Sequence, residues 1–173
     1  MADTTNTQIH IILTGGRIDS VWDKGVDEIV VADHSVIPSF LKEVDAKIDF
    51  IFTEICMKDS RALTLEDREK MRKTIDESAS SKILITHGTH TLPDTVQYLH
   101  EKLEKKDKTI IFTGAATPLK DFELSDGGFN LGYALAKVQE LPPGMYFCLS
   151  GQTTSFDEMQ QKLKEGKFYN SSA

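Results

Sequence analysis

The stretch 83-ILITHGTHT-91 decides how this chain is read. Three apolar residues (Ile83, Leu84, Ile85) stop at Thr86, and polar side chains then crowd around Gly88. A short unbroken apolar run with no alternation is the mark of a strand buried on both faces. Directly after it, Thr91 stands as a candidate N-cap, with Pro93 in the first turn and Leu92, Val96, Leu99 and Leu103 at helical spacing. The stretch therefore predicts a strand, a tight polar loop and a helix.

The same unit recurs along the chain. Apolar runs lie at 9-IHIIL-13, 28-EIVVA-32, 48-IDFIF-52, 109-TIIFT-113 and 145-MYFCL-149. Helical periods lie between them: Ile37–Leu41–Val44 after Ser35, Leu65–Met71–Ile75 after Thr64 with Asp67 as a capping-box partner, and Leu131–Leu135–Val138 after Asp126. Strands alternating with helices predict a three-layer α/β/α sandwich around a mostly parallel sheet. One segment breaks the rhythm: 17-RIDSVWDKGVDEIVVADHS-35 predicts a hairpin turning at Asp23–Gly25. From about residue 155 the chain predicts a short helix (Phe156, Met159, Leu163) stopped by Gly166, then a frayed tail to 173. The expectation is one domain over 1–173, since nothing of low complexity divides the 173 residues.

Composition excludes several classes. Apolar residues make up 39% and charged residues 27%, as in ordinary globular proteins. No apolar run approaches the length that spans a bilayer, so no membrane role is expected. The opening MADTTNTQ has neither basic start nor apolar core, which makes cytoplasmic localisation the expectation. A net charge of −7 without a basic stripe argues against nucleic acid as a partner. Cys56 and Cys148 stand far apart in apolar runs, which suits free thiols, and no metal-type spacing occurs.

Polar chemistry collects where the apolar runs stop, at Thr14, Thr53, Thr86, Thr113 and Ser150, four of them with glycine within two positions. Ligands of open parallel sheets bind beyond the carboxyl ends of strands. Four such ends together predict a ligand crevice, although threonine and glycine are each common at turns. The nucleotide signatures GxxxxGK[ST] and GxGxxG are absent. Within the crevice, Thr89 is a candidate nucleophile if His90 or His87 takes its proton. A histidine in such a turn is also commonly a hydrogen-bonded structural group. Arg17, directly after TGG, is placed to grip a carboxylate or phosphate, or else to be a surface arginine in a hairpin. Glu54, at the expected end of the third strand, is the carboxylate expected to face it.

Three of these loops resemble the N-terminal domain of the bacterial-type L-asparaginase/glutaminase family. IILTGGRIDS (11–20) resembles the family's TGGTI signature. ITHGTHTLPDT (85–95) resembles THGTDTMEET. FTGAATPLKDFELSDGGFNL (112–131) resembles the GAM-RP…S-DG--NL segment, with Ser125, Asp126, Gly127 and Asn130 in register. The resemblance covers roughly 9–150 and implies hydrolysis of a side-chain amide to acid and ammonia, with no metal or organic cofactor. The family's first nucleophilic threonine falls on Arg17, its second on Thr89, and the neighbouring aspartate on His90. Its lysine falls nearest Leu141, with Lys137 one turn away, and its serine–glutamine pair near Glu54 and Ile55. The mobile loop that carries the family's tyrosine is shortened here, with Trp22 its one aromatic. Gly16, Gly88 and Ala115 are implied to bring backbone groups to the substrate, and a homodimer is implied because the family pairs its N-domains. No counterpart of the family's smaller second domain is expected in these 173 residues. Two readings follow: an amidohydrolase acting on a small amide through Thr89, with His90 or Lys137 as base and Arg17 beside them, or an inactive module that binds a small carboxylate. A third is that the loops are only turns and the protein works through its surface.

Overall fold

The computed structural model describes residues 8–168; the expected tail beyond Gly166 lies mostly outside them. Six strands form the main sheet in the order β4-β1-β5-β6-β7-β8. They are β1 (Ile9–Gly15), β4 (Phe50–Lys58), β5 (Lys82–Thr86), β6 (Thr109–Thr113), β7 (Gly144–Leu149) and β8 (Gln152–Ser155). All pairings are parallel except β7 with β8. The expected hairpin forms a separate two-stranded sheet of β2 (Ser20–Asp23) and β3 (Glu28–Val31).

Side-chain alternation along the strands builds two cores. Ile83, Ile85, Ile110 and Phe112 face one way and pack with Met71 and Ile75 of α2 (Leu65–Glu77), Val96 and Leu99 of α3 (Leu92–Lys102) and Met159 of α5 (Phe156–Lys164). Ile11, Leu13, Leu84 and Ile111 face the other way, against Ile37 and Leu41 of α1 (Ile37–Glu43) and Leu131, Leu135 and Val138 of α4 (Gly127–Glu140). The result is the three-layer sandwich, with α2, α3 and α5 on one face and α1 and α4 on the other.

That distribution has a consequence for handedness. The steps β4 to β5 and β5 to β6 run the same way across the sheet, with α2 and α3 on the same face. The step β1 to β4 runs the opposite way with α1 on the opposite face, which is the same hand. The step β6 to β7 runs the first way but sends α4 to the second face, so its hand is reversed. Since nearly all such crossovers are right-handed, β6–α4–β7 is the left-handed one. The loops after β5 and β6 consequently part to opposite faces.

Local chemistry sets the ends of the elements. Thr64 and Asp67 form the expected capping box on α2, and Ser155 with Glu158 forms another on α5. Gly166 (φ +67°) ends α5, with Lys167 N–H returning to the Lys162 carbonyl. Three expectations are corrected. β4 does not end at Thr53: β1 continues beside it as far as the Gly15–Lys58 pair, through a bulge, so the strand runs on to Lys58. The stretch between the expected strand at 145–149 and the helix from about 155 is not plain loop: Ser150 and Gly151 make a tight turn (φ +51° and +74°) into the antiparallel β8, a positive-φ pair suited to a two-residue hairpin. Thr91 holds the N-cap position of α3, but its hydroxyl makes no cap bond and donates to the Ser60 carbonyl at 2.7 Å.

The long loop of the reversed crossover is clamped by α4. The Asp126 carboxylate accepts N–H bonds from Ala116 (3.0 Å) and Thr117 (2.8 Å). The fully buried Asn130 amide donates to Asp126 and to the Gly114 carbonyl, and its oxygen accepts from Ser150 N–H at 2.8 Å. Replacing Asn130 by alanine strands the buried Gly114 carbonyl and removes the partner of the Ser150 N–H. The expected cost is about 2–4 kcal/mol, read as a lower urea midpoint with the slope unchanged.

Candidate functional site

A cavity of about 170 Å³ lies beyond the carboxyl ends of β4, β1, β5 and β6. Its lining comes from four loops: Gly16 and Arg17 after β1, Asp59 and Ser60 after β4, Gly88, Thr89 and His90 after β5, and Ala115 and Ala116 after β6. This is where the polar strand ends predicted a crevice, at the point where connections leave for opposite faces.

The loops nest at backbone distance. Gly16 sits at φ +77°, and a Cβ added to it would lie 2.8 Å from the Gly88 nitrogen. A Cβ on Gly88 would lie 2.8 Å from Ser60 Oγ. At Gly16 glycine is a packing requirement as well as a conformational one, while at Gly88 (φ −69°) the requirement is packing alone. Three of the strand-end hydroxyls are bonded elsewhere, and the buried Thr86 hydroxyl has no partner. Thr14 donates to the Thr86 carbonyl (2.6 Å) and Thr113 to the Cys148 carbonyl (2.8 Å), stitching neighbouring strands. Thr53, in mid-strand, meets His10 Nε2 at 2.8 Å.

The residues singled out from sequence divide into two groups. Gly16, Arg17, Gly88, Thr89, His90 and Ala115 meet at the cavity. Arg17 is exposed, and its guanidinium makes no hydrogen bond or ion pair among the described residues. Thr89 is half-buried, and its hydroxyl makes no hydrogen bond among them either. Glu54 is elsewhere: because β4 runs on past it, its carboxylate accepts from Ser35 N–H (3.0 Å) and meets His34 Nδ1 (3.1 Å), so it does not face Arg17. Lys137 is ten residues into α4 from Gly127, about 15 Å along the axis at 1.5 Å per residue, and pairs with Glu140 at 3.2 Å. It is not placed to serve Thr89. Gly16 N–H is bonded to the Lys58 carbonyl, so it is not the backbone donor that the first loop was expected to offer.

His87 is a structural histidine. Its Nδ1–H donates to the Gly88 carbonyl (2.6 Å), which fixes the tautomer. Its Nε2 then accepts from Thr95 (2.9 Å), whose oxygen accepts from Arg68 Nε (3.0 Å). Burial pushes its pKa down to about 4, so it is neutral at neutral pH.

Asp59, Ser60 and Ala116 are the lining residues that sequence reading missed, and the first two carry polar side chains. The Arg61 side chain forks onto Asp59 with two bonds of 2.9 Å, its backbone N–H adds a third at 2.9 Å, and the Asp59 pKa falls to about 2. His90 lines the same cavity as Asp59. Ser60 is 2% exposed and its hydroxyl has no partner. A buried donor left unpaired beside a cavity is costly, and a ligand atom can satisfy it. The available signal was the apolar continuation Ile55–Cys56–Met57 beyond Glu54, which carries the strand to 58-KDS-60.

Asp19 braces this region from beneath. It is fully buried; one oxygen accepts from Ser35 Oγ and Val36 N–H, both at 2.9 Å, and the other has no partner. Burial pushes its pKa up to about 6.

These features define a class: an α/β domain with a small polar crevice at the switch point of a parallel sheet, lined by a threonine, a histidine and a carboxylate. The model of the asparaginase N-terminal domain matches residues 8–161, and the chain belongs to that family. The fold is similar to the L-asparaginase I of Vibrio cholerae (TM-score 0.72, 25% identity) and to a probable cytoplasmic L-asparaginase of Campylobacter jejuni (0.73, 25%). It is also similar to the thermostable L-asparaginase of Thermococcus kodakarensis (0.70, 22%). These matches cover 86–87% of this chain but only 46–48% of theirs, so the chain spans about half the length of these structures.

Asp19 and His87 make opposite contributions to stability between pH 4 and 6.5. Asp19 has a raised folded pKa, so its contribution is fullest below about 3.8 and is lost as pH rises through about 6. His87 has a lowered folded pKa, so its contribution is full above about 6.5 and is lost as pH falls through about 4. Each is worth roughly 3 kcal/mol at one pKa unit per 1.36 kcal/mol, and they offset each other in the intact protein. In Asp19→Asn the His87 slope, joined by that of His10, whose pKa burial also lowers, should be unopposed by Asp19. Urea midpoints measured at fixed salt should then rise more steeply from pH 4 to 6.5 than in the unmodified protein.

Proposed function

We propose that the crevice hydrolyses a small carboxamide, as the family relationship and the L-asparaginases of similar fold suggest. The observation that carries this reading is the meeting of Thr89, His90 and Asp59 on one small cavity, next to the unpartnered Ser60 hydroxyl. Thr89 Oγ adds to the amide carbon while His90 takes its proton. Asp59, held ionised by Arg61, borders the same cavity. The C–N bond then breaks, and the nitrogen takes the proton from His90 and leaves as ammonia. Water, deprotonated by His90, attacks the ester, and the acid departs as Thr89 recovers its proton. Ser60 is placed to donate to the bound amide or to its carboxylate. The Thr89 hydroxyl, unbonded without ligand, has to turn toward His90 as substrate binds, a tightening common at such sites.

A second reading has its own support. Arg17 stands where the TGG loop of the resembling family carries its threonine, and no base is hydrogen-bonded to Thr89 among the described residues. Both suit a module that holds a small carboxylate without turnover. No cofactor enters either reading.

The two readings separate on ammonia release from asparagine, glutamine and a panel of small amides. Hydrolysis by Thr89 predicts release that falls at least about a thousandfold in Thr89→Ala and about a hundredfold in His90→Gln. Release that survives Thr89→Ala sinks Thr89 as nucleophile. No release from any amide, together with a carboxylate that raises the melting temperature, establishes the binding module.

A further inference from the structure

We propose that the crevice takes the monoamide of a simple dicarboxylic acid with no α-ammonium group, and that Arg17 selects it. This rests on the crevice being the ligand site as proposed above. The argument is one of charge balance. The cavity lining contains a single carboxylate, Asp59. That carboxylate already accepts three N–H bonds from Arg61, and its charge is matched by the same guanidinium. An α-ammonium entering the cavity would find no uncommitted anion. Glu54, the nearest alternative expected from sequence, is engaged by Ser35 and His34 on β4 and does not line the cavity.

The positive side is uncommitted. Arg17 lines the cavity with no partner for its guanidinium among the described residues. Its planar donor fork matches a carboxylate bidentately. The 2%-exposed Ser60 hydroxyl adds a neutral donor on the opposite loop. The cavity therefore offers a cationic fork, two unbonded hydroxyls and no uncommitted carboxylate for a cation. Such a site favours an anion over a zwitterion of the same size, because a site with unmatched polar groups discriminates more strongly than one with extra apolar space. At about 170 Å³ the cavity suits a ligand of amino-acid size. The reaction would then convert succinamate and water to succinate and ammonia by the steps already given, with Arg17 holding the distal carboxylate throughout.

The test uses succinamate and asparagine, which differ only in the α-ammonium group, with binding measured by calorimetry on Thr89→Ala so that turnover cannot intervene. Succinamate should bind at least tenfold more tightly than asparagine. Arg17→Gln in the same background should abolish that preference, and Arg17→Lys should retain part of it. Arg17 is exposed and unpartnered, so neither change is expected to alter the melting temperature. Asparagine binding as tightly as succinamate, binding of neither, or a preference that survives Arg17→Gln overturns the proposal. Ammonia release by the unsubstituted protein then separates the two inferences. Succinamate bound without release removes the hydrolase reading and leaves the ligand class standing. Release that is faster from asparagine than from succinamate does the reverse.

Discussion

Adjacent parallel strands open a gap at their carboxyl ends only where their connections leave in opposite directions. Here that divergence is produced twice at the centre of the sheet. The connection after β1 goes to α1 on one face, while that after its neighbour β5 goes to α3 on the other. The connection after β6 goes back to the first face, which reverses the hand of β6–α4–β7. A reversed crossover is disfavoured, and this one is accompanied by a dense set of polar ties. Asp126 and Asn130 satisfy Ala116, Thr117, Gly114 and Ser150 from within the first turn of α4. The crevice and its clamp are thus two results of one topological choice.

Inside that frame the loops are held by packing and by backbone hydrogen bonds, and few functional side chains are used as supports. Gly16 against Gly88 and Gly88 against Ser60 bring three loops to contact distances that a methyl group would exclude. Thr14 and Thr113 turn their hydroxyls sideways onto neighbouring carbonyls, and the buried Thr86 hydroxyl has no partner. His87 is spent on Gly88 and Thr95. What remains facing the cavity without a bond is a short list: Arg17, Thr89 and the Ser60 hydroxyl. Polar groups left unbonded where most adjacent groups are bonded are the groups a ligand completes.

The layered fold was legible because it rests on period and punctuation. The runs at 9–13, 82–86 and 109–113 are apolar on both faces, and the capping box at Thr64–Asp67 and the stop at Gly166 are local signals that tertiary contacts did not override. The site was legible only in part, for a definite reason. A polar residue inside β4 looks like a strand end when tested against apolar continuity alone, and Glu54 on an exposed position of an edge strand is such a residue. Its misplacement shifted the third loop by five residues and hid Asp59 and Ser60. Thr91 shows a related limit: residue type identified its cap position, but its hydroxyl found a better acceptor in a loop 31 residues away. β8 escaped notice because four polar residues on a sheet edge carry no apolar signal.

The comparison of Glu54 with Asp59 also bears on how this scaffold changes its ligand. Both carboxylates lie on β4 or just beyond it, and each is committed to a neighbour that orders a loop: Glu54 to residues 34–35, Asp59 to Arg61. The fold thereby uses its acidic residues near the crevice as structural anchors and leaves the basic one, Arg17, uncommitted. In a protein of net charge −7 this creates a local positive site inside a negative surface. An anionic ligand must cross that surface field, so its capture depends on short-range bidentate contact more than on long-range steering. Function on a common scaffold resides in such loop-borne groups. On the proposed reading, the single residue after the TGG loop sets which charge the crevice accepts.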